Sequence, residues 1–171
     1  MIRKATVADM PQLLQLVNSA YRGPQAKKGW THEANLIEGE LRADEPYMLE
    51  QFGDPNSVIL AYIVDEKILG CVYLRRRDKT LFLGMLSVAP EVQTGGIGKQ
   101  LLRAAEDHAR NEHCTAIEIT VISVRHELLA WYERQGYRRT GDIKPFEEDA
   151  RFGTPRQEIE FLVMEKRVSG E

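Results

Sequence analysis

SVAPEVQTGGIGKQLLRAAEDHAR, residues Ser87 to Arg110, passes from an apolar strand-like end through Pro90 to three glycines within four positions, and then straight into a helix. Successive amides at a helix start have no partner within the helix and carry a partial positive charge of about half a unit, so they can bind an anion. Glycine lets a phosphate come close to that backbone. Two familiar glycine loops do not fit. The pattern GxxxxGK[ST] needs glycine at 93 and Ser or Thr at 100, where Gln93 and Gln100 stand. The dinucleotide pattern GxGxxG, begun at Gly96 and Gly98, needs glycine where Leu101 stands, and a meander precedes it rather than a βαβ unit. Gln93, Thr94, Gly95, Gly96, Ile97, Gly98 and Lys99 are therefore a candidate pyrophosphate cradle; a tight strand-to-helix turn is the other use of the same glycines.

Upstream of the loop, SVILAYIV, ILGCVYLRRR and TLFLGMLSV are separated only by DEK and DK, which predicts three antiparallel neighbours. Downstream, Ile97, Leu101, Ala104, Ala105 and His108 recur at helical spacing, and the strand AIEITV, a full helix away from TLFLGMLSV, can lie parallel to it. A helix HELLAWYERQ stopped by Gly136, a strand beginning YRRTG, a long loop and a last strand EIEFLVMEK complete the C-terminal half. The N-terminal part reads as a short strand IRKA, then a helix TVADMPQLLQLVNSAYR capped by Thr6 or Asp9, with Leu13, Leu14, Leu16, Val17 and Tyr21 as its core face. A loop GPQAKKGW, a short helix THEANLIEGEL and a further helical piece around EPYMLEQF follow. The class is α+β, with a mixed sheet and helices on its faces.

Composition narrows the function classes. The chain has 171 residues, 43% hydrophobic and 29% charged, the make-up of one soluble globular domain. A net charge of −3 gives no footprint for nucleic acid. No segment approaches the roughly 20 apolar residues of a membrane span. The opening MIRKATVADM lacks the apolar centre of a secretory signal, so a cytoplasmic protein is expected. Cys71 and Cys114 sit inside apolar runs and read as buried free thiols rather than a disulfide framework. His108, His113 and Cys114 are close in sequence, but their spacing matches no common zinc pattern and no metal is expected.

LLAWYERQGY places Tyr132 on a helix ending at Gly136, just after the strand expected beside the glycine loop. With the loop, this resembles the GNAT superfamily of N-acetyltransferases. Gln93 to Gly98 is similar to that family's acetyl-coenzyme A signature [QR]xxGx[GA], and Tyr132, Gly136 and Tyr137 to its YxxxG[FY] segment; IRKATVADMPQLLQLVNSAY is similar to its first strand and helix. The resemblance covers roughly residues 1–167, read as a single N-acetyltransferase domain, with 168–171 a C-terminal tail. It implies a mostly antiparallel mixed sheet of six to seven strands with helices on both faces. It also implies that the strands around Leu86 and Val88 and around Ile119 splay apart for the pantetheine arm of acetyl-coenzyme A, while amides from Gly95 to Lys99 hold its pyrophosphate. Arg125, where the family often has asparagine seven residues before the tyrosine, falls in the same cofactor site. The implied partner is a small-molecule amine or a peptide amino group, with neither nucleic acid nor membrane involved; a homodimer is compatible with the resemblance.

The chemistry sets two pKa problems. An alkyl amine near ~10.4 needs on the order of 4 to 5 kcal/mol of help to be a nucleophile at neutral pH, whereas a departing thiolate near ~8.5 needs little. Tyr132 is thus expected to donate a hydrogen bond to the leaving sulfur, the alternative being an ordinary core aromatic. The base is less defined. Family members often carry a carboxylate four residues ahead of the position of Val88, but Gly84 stands there and TLFLGMLSV has no acid. Glu33, beside Trp30 in GWTHEANL, is the substitute the resemblance suggests, with Trp30 and Glu33 lining the acceptor pocket; an exposed helix-start glutamate is the competing account. Glu118 is a second candidate. RRRDK, Arg75 to Lys79, reads as a solvated hairpin tip, and the acidic run FEEDAR after Tyr137 is undecided. Neither cysteine has a motif-adjacent base to activate it, so direct attack is expected rather than a covalent enzyme intermediate. A non-catalytic acyl-coenzyme A-binding module is the alternative function, and acyl-chain length is left open.

Overall fold

The sheet grows from the meander. In the computed structural model, which describes residues 1–21, 37–38, 43–92, 95–145, 154–155 and 160–168, strand β3 (Ser57–Val64) turns through Asp65 and Glu66, both with positive φ, into β4 (Lys67–Arg77). A second turn leads into β5 (Thr80–Val88). The first turn has two left-handed central residues and the second has one, Asp78; such tight turns match the twist of adjacent antiparallel strands, so the three pair consecutively as expected. Outside β3 lies β1 (Ile2–Lys4). On the other side, β6 (Ala116–Ile122) runs parallel to β5, followed by β9 (Glu160–Arg167) and β7 (Arg138–Pro145), for the order β1-β3-β4-β5-β6-β9-β7. All pairings in this seven-stranded sheet are antiparallel except β5 with β6.

Helices cover both faces. A single 3-10 turn (Val7–Asp9) leads into α1 (Met10–Tyr21); it begins at Thr6, whose N–H donates 2.8 Å to the Asp9 carboxylate. Helix α2 (Glu45–Gly53) starts where the Asp44 carboxylate accepts from the Tyr47 N–H at 2.9 Å. Together with one face of the meander, α1 and α2 bury Leu13, Leu16, Val17, Met48, Ile59, Ala61 and Cys71. On the opposite face, α3 (Ile97–Asn111) and α4 (His126–Arg134) close over Val72, Leu74, Leu81, Ile117 and Ile119, using Leu101, Leu102, Ala105, Leu129 and Tyr132. Each such aliphatic side chain contributes about 1.5–3 kcal/mol by leaving water. Gly70 on β4 is where α3 presses closest, because a Cβ there would meet the Ile97 side chain at 2.8 Å and Leu101 at 3.0 Å.

One expected element is different. Within the helix read for THEANLIEGEL, Ile37–Glu38 is a strand, β2, paired antiparallel with β8 (Thr154–Pro155). Its partner lies far along the chain, and local propensity does not report such pairing. The rest of that segment lies outside the described residues.

Strand β5 holds an irregularity that shapes everything downstream. Met85 has φ of 49°, and the register against β4 slips there, from Tyr73↔Gly84 to Cys71↔Ser87. One extra residue resets the side-chain alternation. Leu81 and Leu83 face the α3 side before the bulge, Met85 joins the α1 side, and Leu86 and Val88 return to the α3 side.

Candidate active site

Strands β5 and β6 are paired only at Thr80↔Ala116, Leu81↔Ile117 and Phe82↔Glu118. Beyond Phe82 the two chains part, and a cavity of about 170 Å³ opens between residues 83–86 of one and 119–122 of the other. This is the splay expected around Leu86 and Ile119, and it leaves strand backbone facing the gap. Tyr21 from α1, Tyr47 from α2, Tyr73, Phe82 and Phe161 line it with Arg125, Leu128 and Tyr132.

Tyr132 reaches the cavity because α4 buries it three residues after Leu129, on the inward stripe of the helix. Its ring is packed edge-on against Trp131 at 5.0 Å and Tyr137 at 5.5 Å between centroids. Burial raises its pKa well above the ordinary tyrosine value; neighbouring Tyr21 and Tyr137 add to the rise and the Arg125 guanidinium opposes it. The phenol is therefore neutral at physiological pH and available as a donor. Among the described lining residues there is no Asp, Glu or His, and Arg125 carries the one formal charge.

The glycine loop lies at the far end of β5. Gly96 caps α3 with φ of 78°, a left-handed conformation that glycine adopts without penalty. The first bond of the helix runs from the Gln100 N–H to the Gly96 carbonyl at 3.2 Å, so the amides of Ile97, Gly98 and Lys99 have no partner within the helix. The Gly95 N–H is different: it donates to the Val92 carbonyl at 3.1 Å, which removes it from the expected cradle. Ile97 itself is a core side chain whose contribution to an anion would be its amide, and Lys99 is exposed.

The structure thus brings Leu86, Arg125 and Tyr132 to one cavity, while Val88 is buried in the core beside it and Gly96 to Lys99 stand beyond. Gln93, Thr94, Trp30, Glu33 and the FEEDAR run lie outside the described residues. Glu118 does not line the cavity and pairs with Lys144 at 3.6 Å. In the hairpin tip, Arg75 is held by Asp54 at 2.8 Å, and Arg76 stands 3.9 Å from Glu112. Burial pushes the Cys71 thiol up to about 12 and raises that of Cys114, so neither is a thiolate at neutral pH. Sequence reasoning missed Tyr47, Tyr73, Phe82 and Phe161 as lining residues and took Tyr21 only as core. None of the four carries a sequence signal beyond being an aromatic on a helix or strand.

Comparison with known proteins agrees with this geometry. The model of the Acetyltransferase (GNAT) family matches residues 12–137. The Bacillus subtilis protein YdhI is 26% identical over 113 residues, which is 66% of this chain and 63% of that protein, so the match spans less than two thirds of the relative's length. The ribosomal-protein-S18-alanine N-acetyltransferase of Escherichia coli superposes with a TM-score of 0.73 at 13% identity, covering 100% of this chain and 95% of that one. YncA of Salmonella typhimurium, solved with its cofactor acetyl-CoA, superposes with a TM-score of 0.72 at 17% identity and the same coverage. At such identities these two likenesses are of fold alone. The family match extends from the first turn of α1 to Tyr137, spanning the bulged strand, the glycine loop and the Tyr132 helix: this chain belongs to the GNAT family of acetyltransferases.

Proposed function

We propose that the chain is an acetyl-coenzyme A-dependent N-acetyltransferase that acts on a primary amine by direct attack. The observation that carries this reading is the early end of β5–β6 pairing, which opens a gap leading to a buried phenol. Strand backbone bordering the gap can pair with an amide-containing arm, and the amides of Ile97, Gly98 and Lys99 can bind its diphosphate. Tyr132 donates to the sulfur as the C–S bond breaks, while the amine nitrogen forms the new C–N bond and its surplus proton passes to water.

With no carboxylate among the described lining residues, the cavity itself can assist the amine. A partly desolvated wall disfavours an ammonium and so lowers the acceptor's pKa toward neutrality. The buried, protonated thiols of Cys71 and Cys114 favour direct attack over a covalent enzyme intermediate.

Thiol release from acetyl-coenzyme A, followed in the presence of ethanolamine, benzylamine, spermidine and an alanyl tripeptide, tests the reading. Amine-dependent release with at least one of them is expected. Tight calorimetric binding of acetyl-coenzyme A without release would favour the rival reading, a non-catalytic acyl-coenzyme A-binding module, in whose favour stands Gly84 at the usual carboxylate position.

A further inference from the structure

Tyr21 is the last residue of α1, and its phenol crosses to the sheet to donate a 2.6 Å hydrogen bond to the Leu86 carbonyl. That carbonyl comes one residue after the Met85 bulge, beyond the last β5 residue paired with β6. The anchor is therefore on the strand that borders the gap.

A tyrosine hydroxyl has one proton and two lone pairs. With its proton directed at Leu86, Tyr21 can offer a ligand only acceptor character. Tyr132 is the opposite, a neutral phenol with a proton to give. Both line the same cavity. The cavity thus has an accepting oxygen on its α1 side and a donating hydroxyl on its α4 side. Aminolysis of a thioester needs that polarity: a donor for the departing sulfur, and an acceptor for an amine N–H so that the nitrogen lone pair is turned to the carbonyl carbon.

We propose that the Tyr21 hydroxyl oxygen accepts an N–H of the acceptor amine and so aims its lone pair at the thioester. This rests on the acetyltransfer reading above and adds a second tyrosine to it. Because Tyr21 is held by β5, the strand that borders the thioester's path also sets the position of the amine. Tyr21 does not take the proton, since a phenol that keeps its own proton is not a base.

Tyr21→Phe, made in the full chain, keeps the ring and removes the oxygen. With benzylamine and with an alanyl tripeptide as acceptors, kcat/KM for the amine is expected to fall about 3- to 12-fold, the net worth of one hydrogen bond, through a rise in the amine KM. Acetyl-coenzyme A affinity by calorimetry should stay within about two-fold. Unchanged amine kinetics would overturn the proposal. A variant that loses acetyl-coenzyme A affinity in step with activity would overturn it too, because Tyr21 would then only brace the strand. Failure of the wild-type chain to release thiol with any amine removes the acetyltransfer reading itself and this proposal with it, an outcome distinct from an active enzyme that is indifferent to Tyr21.

Discussion

Replacing Tyr132 by Phe removes one oxygen and leaves its packing in place. The edge-on contacts to Trp131 and Tyr137 belong to the ring, which Phe retains, so the folded state should be little changed. What disappears is the hydroxyl donor of a cavity-lining residue that is only 6% exposed. A hydrogen bond to a charged group is worth about 1.5–3 kcal/mol, and the leaving sulfur acquires its charge only as the C–S bond breaks. Loss of the donor therefore raises the barrier without weakening the ground state. At about 1.36 kcal/mol per tenfold, turnover falls roughly 10- to 150-fold. Thiol release under saturating acetyl-coenzyme A and amine measures kcat, and calorimetry with acetyl-coenzyme A measures binding. The expected pattern is a depressed kcat with Kd within about two-fold of the parent and an unchanged thermal midpoint. Equal turnover in the two proteins would remove Tyr132 from the mechanism. A loss of turnover matched by a loss of acetyl-coenzyme A affinity would make it a binding residue.

Three further outcomes can be measured. The Tyr137 hydroxyl is buried with no hydrogen-bond partner among the described residues, so Tyr137→Phe should stabilise the fold by about 1–2 kcal/mol, raising Tm by roughly 2–8 °C in calorimetry; a lower Tm would mean that the hydroxyl has a partner after all. A Cβ on Gly98 would sit in ordinary contact, 3.5 Å from the Trp131 ring, so Gly98→Ala should keep or raise Tm while weakening acetyl-coenzyme A binding about 5-fold or more; unchanged affinity would limit the glycine to shaping the turn. The Arg3 guanidinium, with the Thr6 N–H in support, holds the Asp9 carboxyl down at about 2 from 3.8, so its stabilisation is complete above pH ~4 and is lost as pH falls through ~2. Discounted for solvent screening, Asp9→Asn should cost about 1 kcal/mol at pH 7, and the gap to the parent in urea melts should close between pH 4 and 2; a pH-independent gap would refute the pairing.

The meander could be read from the sequence because three apolar runs rich in β-branched and aromatic residues are separated only by very short turns, and antiparallel neighbours need nothing from elsewhere in the chain. The glycine loop and Tyr132 were legible for a related reason: short local patterns mark a helix start and an inward stripe. The Tyr21 wall of the cavity was harder to see. Tyr21 carries the helical period of a core residue, and nothing in that period tells that its hydroxyl ends on Leu86 rather than in the interior. Met85 gives no warning of a left-handed backbone, since methionine rarely adopts one; the conformation follows from the register slip, a tertiary event. Ile37–Glu38 shows the same limit, a strand that exists only because Thr154–Pro155 comes to meet it.

Three residue pairs are all that stitch β5 to β6, and they divide the sheet into two leaves, β1-β3-β4-β5 and β6-β9-β7, sharing a narrow spine. A molecule lying in the opening would supply the missing rungs and act as a lace between the leaves. Saturation with acetyl-coenzyme A should therefore slow hydrogen exchange on both flanks together, near Leu86 and near Val121, and a co-substrate held there would also serve, while bound, as a temporary part of the architecture.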